Sequence, residues 1–504
     1  MPPTLTYPGV YIEEVPSGVH PITAVATSIT AFVGRALRGP VDQAITITSY
    51  ADFLRIYGGP WLESNLGYAV QDFYRNGGST AVIVRVHKTK TNDTASLSLG
   101  SGSRQLALQA ASPGAWGAKL AASIDDDVSD PSDTTLFNLT VTDTGTGKIE
   151  SFRNVSFATG SARRVDLVLT NQSSLVRMTG SLPTQPQASF PQAATASNGN
   201  DGDPIDAGLF TGGTLRASKR GLYALENTDL VNLIVIPPYT SGGEIDSSVL
   251  ADAISYAVER RAVMIIDPPA AWTSVDNAVT GAATFASSKN AAVYFPQIQE
   301  ADPLRDGQIG PVAPSGAIAG VIARTDATRG VWKAPAGLEA TVSGASALSV
   351  PLTDLEIGRL NPLGVNCFRV SPGAGTTVWG ARTREGNDRL SSEWKYLPVR
   401  RTALFLEESL YRGTQWVVFE PNDAPLWAQI RLNVGAFMNI LFRQRAFAGT
   451  TPREAYFVKC DAETTTPDDV NLGIVNIVVG FAPLKPAEFV VIQIQQMAGQ
   501  TGGA

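Results

Sequence analysis

Residue types on which most enzyme and metal sites depend are scarce in this sequence. Its 504 residues include two cysteines, Cys367 and Cys460, and two histidines, His20 and His87. Two thiols cannot form a disulfide framework or a cysteine-ligated zinc site, and two imidazoles leave little material for histidine catalysis. We therefore expect no catalytic residues, no metal site and no cofactor.

Charge and long apolar runs are scarce as well. Charged residues make up 17% of the chain, below the usual quarter, which indicates that partners cover part of the surface. The net charge of −7 argues against direct nucleic-acid binding, which needs a concentrated basic surface. The longest apolar candidate, residues 472–484, is interrupted by Asn476 and Pro483, so no membrane insertion is expected. The first residues lack the pattern of a secretion signal.

Two parts of the chain alternate strand-like apolar runs with helical patterns. Because parallel strands need crossover connections, this order predicts a three-layer α/β sheet. Ser49 is the expected cap of the first helix. The predicted strands are 29–33, 45–48, 81–86, 230–237, 262–267 and 291–295, and the predicted helices are 49–57, 65–76 and 247–261.

The composition changes between residues 92 and 210, where Ser, Thr, Gly, Asn and Asp dominate. Leucines and valines alternate with polar residues around 97–108, 137–141 and 165–169. Short alternating strands with turn residues between them predict a β-sandwich or small barrel inserted into the α/β domain. Residues 179–206 are expected to form a linker or long loop.

Beyond residue 370 the pattern changes to helices followed by strands. One amphipathic helix is expected at 398–412, and a second begins near Pro425, with Asn422 or Asp423 as its cap. Strands are expected at 472–481 and 488–497. The second helix region carries Arg431, Arg443 and Arg445 without an acid, which predicts either a solvated basic face or a surface for an acidic partner.

Each end of the chain carries a strand-like segment behind a proline-containing linker. Pro16 and Gly18 lie in the first linker, and Pro483 and Pro486 lie in the second. A lone strand is stable only when it adds to a sheet, either its own or that of a neighbouring molecule.

The expected fold is an α/β multidomain protein. A three-layer α/β core is interrupted by a β-sandwich or barrel, and an α+β C-terminal domain follows, with terminal strands that join either their own sheet or that of a neighbour. The expected segments are an extended arm at 1–22, the α/β domain at 23–91 and 211–370, an inserted β domain at 92–210, the C-terminal domain at 371–487 and a second arm at 488–504.

None of the local motifs predicts a catalytic, phosphate-binding or calcium-binding site. Thr146-Gly147-Lys148 lacks the serine or threonine and the leading glycine of a phosphate loop. The acidic stretches at 125–130 and 198–206 are interpreted as solvated loops, since a bidentate closing Glu for calcium is missing. His87 is expected to end its strand at the surface.

Several stretches resemble, in combination, the contractile tail sheath proteins of myophage tails, R-type bacteriocins and extracellular injection particles. These stretches are YPGVYIEEVPSG (7–18), TAFVGRALRGP (30–40), YADFLRIYG (50–58), GGSTAVIVRV (77–86), PSGAIAGVIARTDATRGVWKAPAG (314–337), NPLGVNCFRV (361–370), WGARTR (379–384) and EWKYLPVRRTALFLEESL (393–410).

The resemblance implies a structural subunit that polymerises as stacked hexameric rings around an inner tube and contracts to drive the tube through a target envelope. The implied partners are neighbouring sheath subunits, the inner tube protein, the baseplate and terminator or cap proteins. Assembly in the bacterial cytoplasm is implied, as part of a phage tail or an injection particle. The resemblance also implies that the insertion at 92–210 faces outward, that the terminal strands are exchanged between subunits, that the linkers act as hinges, and that Arg431, Arg443 and Arg445 contact the tube. The residues implied in strand exchange between subunits are Tyr7, Val10, Tyr11, Ile12, Val15, Phe489, Val491, Ile492 and Ile494.

Two other classes of function stay open at this point. One is a soluble binding module, and the other is a hydrolase-like α/β enzyme with a carbohydrate-binding β domain. The enzyme would need a catalytic trio, which the sequence does not offer.

Overall fold

The computed structural model describes residues 20–184, 192–239 and 243–493. The chain divides into two compact units. The large unit comprises residues 26–328 and 335–397, and the small unit comprises residues up to 25, 329–334 and the chain from 398 onward.

Strands are numbered in chain order. They are β1 (Thr30–Gly34), β2 (Ala44–Ile47), β3 (Ala81–Arg85), β4 (Ser96–Leu99), β5 (Leu106–Ala110), β6 (Leu120–Asp125), β7 (Leu136–Asp143), β8 (Lys148–Ser156), β9 (Val176–Met178), β10 (Gln192–Thr195), β11 (Leu233–Val235), β12 (Val263–Ile266), β13 (Ala291–Phe295), β14 (Ile298–Asp302), β15 (Gln308–Val312), β16 (Ala347–Leu348), β17 (Val365–Ser371), β18 (Gly375–Val378), β19 (Tyr456–Lys459) and β20 (Val478–Phe481).

Helices are numbered in the same way. They are α1 (Tyr50–Tyr57), α2 (Leu66–Arg75), α3 (Val165–Gln172), α4 (Gly208–Thr211), α5 (Leu215–Ser218), α6 (Ser247–Glu259), α7 (Val275–Ala282), α8 (Ser315–Arg329), α9 (Asp354–Leu360), α10 (Leu397–Gly413), α11 (Ala424–Arg443), α12 (Pro452–Ala455) and α13 (Pro467–Asn471).

The large unit is built on an eight-stranded sheet in the order β18-β17-β13-β12-β11-β1-β3-β2. The six inner strands are parallel, and an antiparallel strand closes each edge. Every residue of β1, β3, β12 and β13 is buried, as expected for apolar runs covered on both faces. The predicted parallel α/β sheet is therefore confirmed, and Ser49 caps α1 by accepting from the Asp52 N–H.

Two antiparallel sheets lie between residues 95 and 197, in the orders β10-β6-β7-β8 and β4-β5-β9. Their inward side chains enclose one core with α3. Two expectations for this region are wrong. Residues 165–169 are helical because Val165, Val168 and Leu169 are buried at helical spacing while Leu167 is exposed. The expected loop at 179–206 contains β10, which pairs with β6.

The boundary expected at residue 370 does not match the compact units. Strand β18 pairs with β17 from Phe368↔Val378 to Ser371↔Gly375, so it extends the large sheet. The Leu397 N–H donates to the Ala381 carbonyl at 2.9 Å. Residues 371–397 accordingly belong to the large unit, and the chain enters the small unit at residue 398.

His87 is buried rather than placed at the surface. Its Nε2 lies 2.9 Å from Asp93 Oδ2, in the segment that leads into the insertion. Burial lowers the pKa of His87, and the Asp93 carboxylate opposes this effect only in part. The sequence pattern missed this pair because the partner lies on a loop whose position depends on the tertiary fold.

Helix α8 packs against the backbone of α2 through two glycines. A Cβ at Gly316 would lie 2.1 Å from the Ala69 carbonyl oxygen, and one at Gly320 would lie 2.4 Å from the Phe73 carbonyl oxygen. Residues 315–323 are all buried. Glycine is therefore required at these two positions because the helix backbones leave no room for a Cβ.

Asp267, which follows β12, holds the start of α8. Its Oδ1 accepts from the Ser315 N–H at 2.8 Å, and its Oδ2 accepts from the Ser315 hydroxyl at 2.7 Å. Burial raises the pKa of the Asp267 carboxyl to about 7, although both hydrogen bonds lower it. The folded protein therefore binds a proton here that the unfolded chain releases at lower pH.

Gly316→Val should destabilise the large unit by about 3 kcal/mol or more, since the added atoms collide with rigid helix backbone. The matched control is Gly358→Ala in α9, where a Cβ meets nothing within 4 Å. This change should be neutral or slightly stabilising because alanine favours helix. Thermal unfolding of the purified proteins measures both, and equal melting temperatures would contradict the close approach.

Asp267→Asn should remove a pH dependence of stability. Because the folded-state pKa is raised, stability in the native protein falls as pH rises from about 4, the unfolded value, to about 7. The melting temperature of the variant relative to the native protein should thus increase between pH 5 and pH 8. The exposed Asp252→Asn provides the control. A difference in melting temperature between the Asp267→Asn variant and the native protein that stays constant with pH would contradict the raised pKa of Asp267.

Candidate assembly site in the small unit

Helices α10 and α11 form the core of the small unit. Asp423 caps α11 by accepting from the Leu426 N–H at 3.0 Å, which confirms Asp423 rather than Asn422 as the capping residue. Phe405 of α10 packs against Phe437 of α11, with ring centroids 6.2 Å apart. The side chains of α11 that face this core are Leu426, Ile430, Val434, Phe437, Met438 and Leu441.

Strands β19 and β20 lie against this core as a two-stranded antiparallel sheet. Tyr456, Val458, Val479 and Phe481 are half-buried against the core, and the Tyr456 hydroxyl donates to the Gly435 carbonyl at 3.5 Å. Phe457 is exposed on the other face. Two strands alone make a marginal sheet, so this one gains stability from any strand that is added to it.

The outer edges of this sheet carry unused backbone groups. Ala482 donates to Ala455, which makes these residues a hydrogen-bonded pair. Hydrogen-bonded and non-bonded pairs alternate along an antiparallel ladder, so 456/481 and 458/479 are non-bonded pairs whose N–H and C=O groups point outward. Within the described ranges these outward groups have no hydrogen-bond partner. Only the end of β20 is covered, where Pro483 bridges to Phe447.

The chain after β20 contains a short apolar segment that contacts little of its own protein. Phe489, Val490, Val491 and Ile492 are 75–82% exposed. The strand expected at 488–497 is absent over 488–493, and its remainder, with Ile494, lies outside the described residues. The strand expected at 472–481 is shortened to Val478–Phe481. The described part of the terminal segment, rich in β-branched residues, pairs with no strand of the described chain.

The first described residues pack within the small unit. The His20 ring stacks on Trp416 with centroids 4.2 Å apart, and the His20 backbone N–H donates to Asn433 Oδ1 at 3.3 Å. Ile22 is buried against Gly413, where a Cβ would lie 2.6 Å from it. The expected arm residues Tyr7, Val10, Tyr11, Ile12 and Val15, with the linker residues Pro16 and Gly18, lie outside the described residues.

The three arginines expected to act together are in different environments. Arg431 is half-buried and donates to the carbonyl of Cys460, next to the end of β19. Arg443 and Arg445 are exposed at the C-terminal end of α11 and pair with no acid among the residues described. Arg400 and Arg401, on α10, are buried. Arg443 and Arg445 are thus the two of the predicted set that are free to contact a partner.

The small unit exposes an unusual share of apolar surface. Of 24 large hydrophobic side chains that are exposed among the described residues, 13 belong to the small unit, although it is much the smaller of the two. Exposed apolar surface concentrated in this way marks a site of association. The described residues hold no cluster of His, Cys, Asp or Glu fit for a metal ion, and none of their helices could cross a membrane.

Comparisons with known proteins identify the family to which the chain belongs. The phage tail sheath protein central domain matches residues 218–384, and the phage tail sheath C-terminal domain matches residues 390–497. The chain belongs to the phage tail sheath family. It is thus a structural sheath protein of a phage tail or contractile injection system, which sets aside the hydrolase-like alternative. Both matches lie C-terminal to the β-rich insertion.

Relatives and solved structures extend the comparison. A prophage major tail sheath protein of Pseudomonas aeruginosa is 26% identical over 294 residues, which cover 56% of this chain and 70% of the relative. The contracted PVC sheath, from an extracellular contractile injection system, aligns with a TM-score of 0.61 at 23% identity, over 98% of both chains. The sheath tail protein of Listeria innocua aligns at 0.62 and 12% identity, over 92% of this sheath protein and 96% of its own chain. These structures share the fold.

Proposed function

We propose that this sheath protein polymerises by adding its terminal segments as strands to the β19–β20 sheet of neighbouring copies. The observation that carries the proposal is the combination of open strand edges with the exposed apolar segment at Phe489–Ile492. The sheet has unpaired backbone groups along its edges, and the segment has an apolar stretch of chain whose backbone can pair with them.

The free energy of such an exchange comes from two sources. Each ladder hydrogen bond contributes roughly 0.5–1.5 kcal/mol net. Burial of the apolar side chains of the arm contributes about 25 cal/mol per Å². The proposed exchange residues are Phe489, Val491, Ile492 and Ile494 in the C-terminal arm, with Tyr7, Val10, Tyr11, Ile12 and Val15 in the N-terminal arm.

The proposed assembly is a stack of hexameric rings around an inner tube, attached to a baseplate and closed by a terminator. Subunits rotate as rigid bodies on triggering and gain larger mutual contacts, so the energy is stored at assembly and no nucleotide is required. The two linkers act as hinges, so that the arms stay paired with neighbouring subunits while the subunits rotate. The hinge residues are Pro16 and Gly18 in the first linker and Pro483 and Pro486 in the second. Similarity to a PVC sheath in the contracted state supports this mechanism. Assembly takes place in the bacterial cytoplasm.

Tube contact is assigned to the basic end of α11. Arg443 and Arg445 are exposed, whereas Arg431 is held by the Cys460 carbonyl and is omitted from the contact. Exposed arginines suit a carboxylate-bearing partner because the guanidinium group donates in a forked geometry.

Val458→Pro should block assembly and leave the monomer folded. The Val458 N–H points outward from the ladder, so proline removes a donor for the incoming strand without breaking a bond to β20. Val458→Ala, the matched control, keeps the N–H and should still assemble. Negative-stain microscopy shows polymer, and circular dichroism reports folding. Long sheaths formed by a folded Val458→Pro protein would contradict strand addition at this edge.

Arg443→Glu with Arg445→Glu should weaken assembly on the tube and spare tube-free sheath. Reversed charge repels an acidic partner, while the strand edges are unchanged. The measurement is co-sedimentation with the inner tube protein at physiological salt. Lys119→Glu with Arg153→Glu, at two exposed positions of the large unit, makes the same change in net charge and is the control. Unchanged co-sedimentation would reject the assignment.

A further inference from the structure

Helix α2 has a polar face that contacts the β14–β15 hairpin. Tyr68, Asp72 and Arg75 follow one another at intervals of four and three residues, which places them on one face of the helix. The Tyr68 hydroxyl donates to Asp302 Oδ1 at 3.0 Å, and Arg75 Nη1 lies 2.6 Å from Glu300 Oε2. Both acids belong to β14, so α2 holds the hairpin at two points.

Two carboxyl groups meet at the second of these points. Arg75 Nη1 also lies 3.2 Å from Asp72 Oδ1, and both Asp72 and Glu300 are buried. The Asp72 and Glu300 side chains lie within hydrogen-bonding distance of each other. Two carboxylates have only acceptor atoms, so a hydrogen bond between these side chains requires a proton on one of them.

Each of the two carboxyl groups has one buried oxygen that receives no hydrogen bond from the described residues. These oxygens are Asp72 Oδ2 and Glu300 Oε1. A buried acceptor without a donor is costly, above all on a charged group. One shared proton supplies the missing donor, because the protonated carboxyl group then donates to the other.

The charge balance of the site also requires one proton. Two carboxylates beside one guanidinium group leave one negative charge uncompensated on buried groups, whereas a single proton makes the three side chains neutral together. Burial raises the pKa of Asp72 well above its ordinary value, and the Glu300 carboxylate raises it further. Arg75 lowers the pKa of Asp72, but by less than these two effects raise it.

The elements around the pair contribute a neutral hydroxyl group and a cation that is bound elsewhere. Tyr50 of α1 lies near Asp72, and burial raises the pKa of Tyr50 to about 12, so its hydroxyl stays neutral. Arg324 of α8 donates to two backbone carbonyls. Gly344, which packs against Arg75 and Glu300, has no side chain. Arg75 is thus the cation that acts on the pair.

We propose that Asp72 and Glu300 share one proton at neutral pH, and that this proton holds the β14–β15 hairpin on α2. Loss of the proton leaves two carboxylates in contact, and their repulsion favours an open hairpin. The outer part of the hairpin buries little apolar surface, since Leu304 and Ile309 are 47% and 62% exposed. The polar contacts to α2 therefore carry much of its attachment. This inference concerns the large unit and does not depend on strand exchange.

Opening of the hairpin should depend steeply on pH. In the open hairpin both carboxyl groups have ordinary pKa values of about 4, so opening at higher pH releases one proton. Because the pKa of Asp72 is raised in the closed state, the attachment is strongest at low pH and weakens as the pH rises. The opening constant should increase about tenfold per pH unit until the closed hairpin also loses its proton.

Hydrogen exchange of the amides at 298–312 measures this opening constant between pH 5 and pH 8, after correction for the intrinsic exchange rate. Glu300→Gln should reduce the change to about twofold or less per pH unit, because the amide group donates to Asp72 without a bound proton. Asp306→Asn, at an exposed position of the same hairpin, removes the same charge and should keep the native slope. Equal slopes in the native protein and Glu300→Gln would overturn the proposal.

Infrared spectroscopy detects the proton itself, through the C=O stretch of a carboxylic acid. Asp267→Asn is the background for this measurement, because Asp267 can carry a buried proton of its own. In that background Asp72→Asn should remove a carboxylic-acid band at pH 8, and Asp306→Asn should leave it. A spectrum unchanged by Asp72→Asn would overturn the shared proton, even if Glu300→Gln fails to fold.

A bound cation is the alternative to the proton, and calcium chloride tests it. The melting temperature of the native protein should be the same with calcium chloride and with a chelator, because a proton already balances the charge of the site. A rise with calcium in the native protein that Asp72→Asn abolishes would show a cation between the carboxylates and would overturn the proposal.

Discussion

Unpaired backbone groups at two strand edges are the constraint on which the proposed assembly of this protein depends. The outward N–H and C=O groups of 456, 458, 479 and 481 have no partner within the described chain. Such groups must pair with protein or remain in water, and an edge of this kind readily accepts another strand. The exposed segment at Phe489–Ile492 likewise pairs with no strand of the described chain.

The two units differ in how completely they bury apolar side chains and pair their backbone groups. In the large unit, a parallel sheet buried on both faces and the close α2–α8 contact leave little apolar surface exposed. In the small unit, a compact helical core carries open strand edges and an exposed C-terminal segment. The groups left without partners are therefore concentrated in the small unit.

Sequence patterns predicted those elements whose signals are local. Ser49 and Asp423 are helix caps at the expected positions, because a capping side chain acts within three residues of itself. Runs such as 81–86 became buried parallel strands because β-branched apolar side chains suit a sheet covered on both faces. Predictions of secondary structure were wrong where the apolar residues fit the period of a strand and that of a helix equally well. This happened at 165–169, where Leu167 is exposed and the segment is a helix.

Composition, apolar periodicity and the combination of motifs along the chain determined by themselves that this is a multidomain α/β protein of the sheath family. Tertiary structure alone decided which polar groups are paired. It placed His87 against Asp93, bound Arg431 to the Cys460 carbonyl, and left Arg443, Arg445 and Phe419 exposed. The physical reason is that secondary structure follows from interactions between near neighbours in sequence. Burial and hydrogen-bond partners depend instead on residues tens or hundreds of positions away, whose approach no local pattern specifies.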